Sequence, residues 1–274
     1  MDWLQALFLG IIQGLTEFLP ISSSGHLIIG KELLGMEVTG NIAFETGVHC
    51  ATVMSTITIL RKEIAALFVK FFKFKLNQET QYIGMILLSM IPVMIVGLFF
   101  KKNVEQLFGE GLTLVGTMLL VTAGLLALTS FQGSKFKVQG SNLKSQGKSV
   151  GWGSAFIIGI AQAIAVLPGL SRSGTTIATG LLCGVKKEEV AKFSFLMVLI
   201  PILGETALDV MKGDFSVAVS GIPISSLIIG FFAAYLCGCF ACKFMIELVK
   251  RTNLIWFAIY CSIAGAATLI YSLC

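Results

Sequence analysis

Four long apolar stretches of this sequence contain no Asp, Glu, Lys, Arg or His. They are 19 to 21 residues long, and they lie at 82–100, 112–131, 222–242 and 253–273. Two further stretches, 41–60 and 190–211, are as long but contain Glu45, His49, Lys192, Glu205 and Asp209. A helix needs about 20 apolar residues to cross the hydrocarbon core of a bilayer. The pattern therefore predicts six transmembrane helices.

The composition supports a membrane protein and excludes an ordinary soluble domain. Hydrophobic residues make up 55% of the chain and charged residues 13%, whereas soluble domains carry about 25% charged residues. The residues before the first apolar run include no Lys or Arg, so no cleavable signal peptide is expected. The seven cysteines lie in or at the ends of apolar runs, which predicts small buried side chains rather than metal ligands.

Two halves of the chain follow one plan. An ungapped offset of 149 residues aligns identical residues, setting Gly10, Ile11, Gln13, Ser22, Ser24 and Gly25 against Gly159, Ile160, Gln162, Ser171, Ser173 and Gly174. Two charge-free spans of the first half align with the two of the second half at offsets of 140 and 141. We therefore predict a first repeat at 1–131, a basic cytoplasmic linker at 132–150 and a second repeat at 151–274.

Each repeat has three spans, an odd number, so the second repeat should be inverted across the membrane. The distribution of Lys and Arg supports this. With loop 61–81 inside, alternation also places 132–150, 186–189 and 243–252 inside, and these four segments hold 14 of the 20 Lys and Arg residues. Lys31, Lys101, Lys102 and Lys212 fall outside. Cytoplasmic loops are enriched in Lys and Arg, so the net charge of +5 marks topology and does not indicate nucleic-acid binding.

The first apolar segment of each repeat is broken by a proline in a Ser/Gly cluster. The breaks read LPISSSGH (Leu19–His26) and LPGLSRSGTT (Leu167–Thr176). The alternation of sides requires segments 1–36 and 151–185 to enter and leave on the same side, as two re-entrant hairpins. Irregular backbone at membrane depth persists only where protein buries it or water reaches it. We therefore expect the two hairpin tips to meet near the middle of the bilayer, where inverted-repeat proteins place their sites.

The tips have the chemistry of an anion site. Ser22–Ser24 and the pair Ser171 and Ser173 are suitable N-cap residues, so two helix N-termini would direct N–H groups into one region, an arrangement that binds phosphate. Arg172 adds a planar fork that matches phosphate oxygens. An arginine in the membrane costs roughly 2.5–3.5 kcal/mol on insertion scales. The compensating group is predicted to be an anion; the alternative is a structural ion pair with Glu17, Glu45 or Glu205.

The first tip also carries reactive side chains. Glu17 precedes the proline, and Ser22, Ser23, Ser24 and His26 follow it. A hydroxyl, an imidazole and a carboxylate beside an anion site suggest nucleophilic or water-mediated phosphoryl transfer. By itself, a lone histidine is more often a buried hydrogen-bonding residue. Glu45 and His49, four residues apart, could equally be an intrahelical pair.

These two tips resemble the signature motifs of a bacterial family. GIIQGLTEFLPISSSGH (Gly10–His26) and LPGLSRSGTT strongly resemble the motifs of the undecaprenyl-pyrophosphate phosphatases of the bacitracin-resistance type, and KFSFLMVLIPILG (Lys192–Gly204) resembles the span that follows. The resemblance covers essentially the whole chain. It implies removal of the terminal phosphate from undecaprenyl diphosphate, which regenerates the lipid carrier of peptidoglycan precursors.

The resemblance also implies roles for individual residues. It implies a catalytic set of Glu17, Ser23, His26 and Arg172, with Glu17 as ligand to Mg²⁺ or Ca²⁺. Further substrate contacts are predicted at the tips, from Gln13, Ser22, Ser24, Gly25, Gly169, Ser171, Ser173, Gly174 and Thr176. Two positions depart from the family pattern: Gln13 replaces a possible carboxylate, which leaves Glu17 as the single acid of that motif, and His49 stands where Gln is more common. The role of His49 stays open.

Several questions stay open on the sequence alone. It does not separate a phosphoserine intermediate from direct attack by water, nor does it fix the oligomeric state, a homodimer included. The predicted partners are a polyprenyl diphosphate and membrane lipids. The resemblance implies the bacterial cytoplasmic membrane, with the site open to its outer face. A lipid-phosphate transporter is the competing function, because inverted repeats with broken helices are typical of transporters.

Overall fold

The structure is a computed structural model that describes residues 1–36, 42–71, 78–108, 111–138, 147–212, 221–251 and 253–273. Apart from an isolated β-bridge between Lys148 and Val185, these residues form helices and their connections. The helices in chain order are α1 (Trp3–Thr16), α2 (Ser23–Leu33), α3 (Ile42–Ile59), α4 (Arg61–Phe71), α5 (Gln78–Phe99), α6 (Lys101–Phe108), α7 (Gly111–Val138), α8 (Trp152–Ile164), α9 (Arg172–Leu182), α10 (Lys187–Met197), α11 (Leu199–Lys212), α12 (Ile224–Arg251) and α13 (Ile255–Leu273). The predicted all-α membrane fold is confirmed.

Within the described parts of the chain, five helical segments are long and apolar enough to cross a membrane. They are Gln78–Phe99, Gly111–Ser130, Lys187–Leu208, Ile224–Arg251 and Ile255–Leu273. The remaining predicted span forms α3, which has 18 residues and carries Glu45 and His49. The count of six spans with two re-entrant hairpins stays a prediction.

The predicted span 190–211 is two helices rather than one. Helix α10 ends at Met197 and α11 begins at Leu199. Pro201 lies in the first turn of α11 and has no N–H to donate to the carbonyl of Met197, four residues earlier. The proline therefore interrupts the backbone hydrogen bonds at the junction of α10 and α11.

Each predicted hairpin contains a pair of helices joined at its proline. Helices α1 and α2 are connected through residues 17–22, and α8 and α9 through residues 165–171. The predicted linker at 132–150 differs in part, because α7 continues to Val138. The rest of that linker up to residue 146 lies outside the described residues.

The first helix of each hairpin crosses a span of the other half at a glycine. A Cβ atom at Gly10 would lie 2.5 Å from the carbonyl oxygen of Gly230 on α12, and one at Gly159 would lie 2.4 Å from that of Ser89 on α5. Gly10 and Gly159 are related by the offset of 149, and Ser89 and Gly230 lie within one residue of the offset of 140 that aligns their spans. These matched contacts support the predicted duplication. The repeat boundaries stay a prediction.

Lys31 was assigned to the outer loops on the sequence, and the structure corrects its environment. Its side chain lies at the end of α2, is 1% exposed and forms an ion pair with Glu45 on α3. A buried ammonium needs such a partner. The ion pair therefore links α2 to α3, and Lys31 is not a solvated loop residue that indicates the outer side of the membrane.

Candidate functional site

The tips of the two hairpins are in direct contact. The N–H of Gly169 points at Ser24 Oγ at 3.4 Å. A Cβ atom at Gly25 would lie 3.3 Å from the Cα atom of Gly169, and one at Gly174 would lie 3.2 Å from the Cβ atom of Pro20. Small residues at these positions allow the two irregular segments to approach this closely. The predicted meeting of residues 20–25 with residues 168–174 is present.

The helices that follow the two tips begin with the same cap. Ser22 Oγ accepts the N–H of Gly25 at 3.2 Å, and Ser171 Oγ accepts the N–H of Gly174 at 3.0 Å. These serines occupy equivalent positions in the two halves. Their side chains therefore satisfy one N–H at the start of each helix, as N-caps do, and leave both N-termini beside the contact between the tips.

Glu17 is the centre of the site. It follows the last turn of α1, and its side chain is 6% exposed. Its carboxylate accepts hydrogen bonds from Gln13 Nε2 at 2.8 Å and from Ser23 Oγ at 2.6 Å. It also forms an ion pair with Arg172 from the opposite hairpin. His49 Nε2 on α3 lies 3.9 Å from Glu17 Oε2.

This arrangement decides between the partners considered for Arg172. The guanidinium pairs with Glu17, whereas Glu45 pairs with Lys31, and the side chain of Glu205 lies outside the described residues. The Arg172 side chain is 27% exposed, so part of the guanidinium faces open space. An anion that reaches Arg172 must share it with Glu17 or displace the carboxylate.

The polar groups of the second tip mostly hold that tip in place. The N–H of Ser171 donates to Thr122 Oγ1 of α7 at 3.1 Å. Ser173 Oγ donates to the carbonyl oxygen of Leu19 at 2.9 Å. Thr176 Oγ1 donates to the carbonyl oxygen of Arg172 at 2.8 Å. These hydroxyl groups, predicted to contact substrate, already bond within the protein.

Of the predicted catalytic set of Glu17, Ser23, His26 and Arg172, His26 is the residue that the structure does not bring to Glu17. Its Nδ1 atom lies 2.7 Å from the carbonyl oxygen of Ser22, and its Nε2 atom lies 2.7 Å from the hydroxyl of Tyr260 on α13. A carbonyl oxygen can only accept, so Nδ1 carries the proton in the neutral ring and Nε2 accepts from Tyr260. His26 makes no hydrogen bond to Ser23 or Glu17, both of which are among the described residues.

A cleft opens beside the ion pair, between α3 and the junction of α10 and α11. Glu17 and Arg172 form its charged end, which the neutral side chain of Ser173 also lines. Its remaining wall combines hydroxyl groups with apolar side chains, contributed by Phe18, Thr52, Val53, Thr56, Ser194, Phe195, Val198 and Ile202. The cleft therefore joins a charged end to a wall of hydroxyl and apolar side chains.

Sequence reasoning missed several residues of this site. Thr52, Thr56 and Ser194 line the cleft, Thr122 holds the second tip, and Tyr260 holds His26. The one signal for them was the recurrence of hydroxyl residues at a spacing of four in an apolar span, as at Thr52 and Thr56. That spacing places both on one helix face but does not say what the face contacts.

A divalent cation fits this site only in part. Among the described residues, no group of three or more His, Cys, Asp or Glu side chains could hold a metal ion. Glu17 contributes a carboxylate, and the buried Oε1 atom of Gln13 has no hydrogen-bond partner. Mg²⁺ is often held by one or two carboxylates together with substrate phosphates. The residues present therefore suit a cation whose remaining ligands come from a bound diphosphate or from water.

Comparison with known proteins finds one family model and several full-length relatives that share one description. A family model described as bacitracin resistance protein BacA matches residues 6–267. The undecaprenyl-diphosphatase of Parabacteroides distasonis is 56% identical over 270 residues, which is 98% of each chain. Those of Bacteroides fragilis and Bacteroides thetaiotaomicron are 55% and 54% identical, covering 99% and 100% of each chain.

Proposed function

Because the chain belongs to the bacitracin resistance protein BacA family, we propose that it is a membrane phosphatase that hydrolyses undecaprenyl diphosphate. The products are undecaprenyl phosphate and inorganic phosphate. The reaction would return the lipid carrier to cell-wall synthesis and lower sensitivity to bacitracin. The observation that carries the proposal is the 2.6 Å hydrogen bond from Ser23 Oγ to Glu17, opposite Arg172.

Arg172 is proposed to bind the diphosphate. Its guanidinium is partly exposed at the charged end of the cleft, and a guanidinium matches phosphate oxygens as a two-pronged donor. The N-termini of α2 and α9 add partial positive charge at the same place. The prenyl chain would stay in lipid, because transfer of its apolar surface to water is unfavourable.

Glu17 and Ser23 are proposed to carry the chemistry. The Ser23 hydroxyl already donates to the carboxylate, which makes Glu17 the base that accepts its proton. Oγ then bonds to the terminal phosphorus, and the bond from that phosphorus to the bridging oxygen breaks, so that undecaprenyl phosphate leaves. A water molecule hydrolyses the phosphoserine and releases inorganic phosphate. In the alternative without a phosphoserine, Glu17 takes the proton from water instead and Ser23 binds substrate.

The cation is part of the proposal. Glu17 and Gln13 Oε1 would hold Mg²⁺ or Ca²⁺ together with oxygens of the substrate. When bound, the cation would neutralise charge on the diphosphate.

The cellular setting is also part of the proposal. Family membership supports the bacterial cytoplasmic membrane, with substrate arriving from its outer face. A homodimer is compatible with the proposal, but the mechanism does not require one, since both hairpins of the site belong to one chain.

Phosphate release from farnesyl diphosphate by the purified protein in detergent tests the function. We expect release by the wild type, loss of release with EDTA, and recovery when Mg²⁺ or Ca²⁺ is added back. Rapid quenching with substrate labelled on the terminal phosphate should trap label on Ser23 if the phosphoserine forms. A transporter with the same anion site would move prenyl phosphate across vesicles but release no phosphate, and that result would refute the enzyme.

A further inference from the structure

We propose that His26 and Tyr260 form a clamp that holds the carbonyl of Ser22 and thereby aims Ser23 at Glu17. In this assignment Tyr260 is a positioning residue, and His26 positions rather than transfers a proton. The inference rests on the proposed phosphatase function and identifies a residue that no sequence motif indicated.

The clamp is a continuous chain of contacts from α13 to the start of α2. The Tyr260 hydroxyl and His26 Nε2 are 2.7 Å apart. The two rings are stacked, with centroids 5.6 Å apart and planes at 15°. On the other side of the imidazole, Nδ1 donates to the carbonyl oxygen of Ser22 at 2.7 Å. The Ser22 carbonyl therefore sets the tautomer of the imidazole, and Tyr260 holds the orientation of its ring.

The carbonyl that the clamp holds belongs to a strained residue. Ser22 has a φ of +71° and is the one non-glycine residue with positive φ among those described, a conformation that L residues adopt infrequently. Such strain persists only when the surroundings enforce it. The Ser22 carbonyl accepts from both the backbone N–H and the Nδ1–H of His26, and these two bonds fix the orientation of the peptide that joins Ser22 to Ser23.

Ser23 depends directly on that peptide. It is the first residue of α2, and its Oγ reaches Glu17 at 2.6 Å. A rotation of the preceding peptide would move Oγ away from the carboxylate. Misplacement of a reacting group by about 1 Å can cost about 100-fold in rate.

The same geometry argues against His26 as the general base. Both ring nitrogens have partners, and neither partner is Ser23 or Glu17. The Ser23 hydroxyl donates to Glu17 instead. A base must lie within hydrogen-bond reach of the proton that it removes, and Glu17 meets that condition.

Helix α13 holds the first tip at a second point. Cys261, the next residue after Tyr260, is buried, and its Sγ lies 3.6 Å from the carbonyl oxygen of Pro20. The helix itself packs closely on α7, where a Cβ atom at Gly265 would lie 2.8 Å from the carbonyl oxygen of Gly116. Two neighbouring residues on a firmly packed helix therefore support the segment that carries Ser23.

The test uses full-length protein in detergent and measures kcat, KM and the pH profile of phosphate release from farnesyl diphosphate. His26→Asn keeps a donor close to the position of Nδ1 and removes the acid–base chemistry. His26→Gln places its amide near Nε2 and loses the donor toward Ser22. Tyr260→Phe removes the hydroxyl and keeps the stacking. Tyr271→Phe is the matched control, because it removes an exposed phenol from the same helix.

We expect His26→Asn to retain kcat within about 5-fold of wild type, with both limbs of the pH profile in place. In His26→Gln kcat should be about 10-fold lower still, because the loss of one hydrogen bond costs about that much. Tyr260→Phe should lower kcat about 3- to 10-fold with KM little changed, while Tyr271→Phe should match wild type.

Two results would overturn the clamp. If Asn and Gln at position 26 both lose about 10²- to 10⁴-fold and a limb of the pH profile disappears, His26 is the acid or base. If Tyr260→Phe folds and has the same kcat as Tyr271→Phe, Tyr260 does not position the imidazole. This result stands even if the His26 variants do not fold. Failure of the wild type to release phosphate would instead refute the proposed function.

Discussion

Replacing Arg172 with lysine separates the geometry of the guanidinium from its charge. In the structure Arg172 bridges the two hairpins through Glu17 and presents part of its side chain to the cleft. A lysine ammonium keeps the positive charge and can still pair with the carboxylate. It is a compact point charge, however, and cannot offer two parallel N–H donors to a phosphate.

The expected magnitude follows from the bonds that lysine cannot replace. One charge-assisted hydrogen bond contributes roughly 1.5–3 kcal/mol, so its loss should lower kcat/KM by about 10- to 150-fold. Folding stability should change little, because Glu17 retains a cationic partner. Arg172→Gln would behave differently, since it leaves a carboxylate with a 6% exposed side chain without its counter-charge. Breaking a buried ion pair in this way costs about 3–5 kcal/mol of folding stability. Because Arg172 is partly exposed, the cost here should lie near or below the lower end of that range.

The assay combines kcat/KM for farnesyl diphosphate with thermal unfolding in the same detergent. Arg61→Lys is the matched control, because Arg61 is exposed and its guanidinium donates to the Thr58 carbonyl. We expect Arg172→Lys to unfold within a few degrees of wild type yet lose activity, and Arg61→Lys to retain both. Hydrolysis by Arg172→Lys at the wild-type rate would show that the two-pronged grip is not used.

Three other substitutions have clear expectations. Ser23→Ala should lower kcat by roughly 10³-fold or more, while Ser24→Ala should lose less than about 10-fold, and equal activities would contradict the assigned nucleophile. Gly159→Ala should destabilise the protein by about 1–3 kcal/mol in thermal or denaturant unfolding, because its Cβ would overlap the backbone of α5; Gly153→Ala on the same helix meets nothing within 4 Å and should not. His49→Gln should change kcat/KM by less than about 3-fold, since its 3.9 Å contact with Glu17 is outside hydrogen-bond range; a larger loss would assign His49 a direct part in the reaction.

The site was predictable where one short segment of sequence contains both the motif and the groups that it brings into contact. The two Ser/Gly tips and their N-caps follow from motifs that the sequence displays twice, whereas Glu17 was one of three possible ion-pair partners for Arg172. The environment of Lys31 was not predictable, because its partner Glu45 lies on the next helix and no sequence pattern indicates the pairing. The break between α10 and α11 carries a sequence signal in Pro201, but a proline in an apolar span equally permits an uninterrupted helix, as at Pro92 in α5.

His26 illustrates the limit most directly. Its place three residues after Ser23 predicts a shared helix face, but both of its nitrogens are taken by Ser22 and by Tyr260, a residue 234 positions away.

The amino-acid sequence by itself determined that this chain is a helical membrane protein with two polar tips, because hydropathy and turn chemistry act over short stretches of chain. Only the tertiary structure decided which side chains meet Glu17, because hydrogen-bond partners are chosen over a few ångströms between helices that are far apart in sequence.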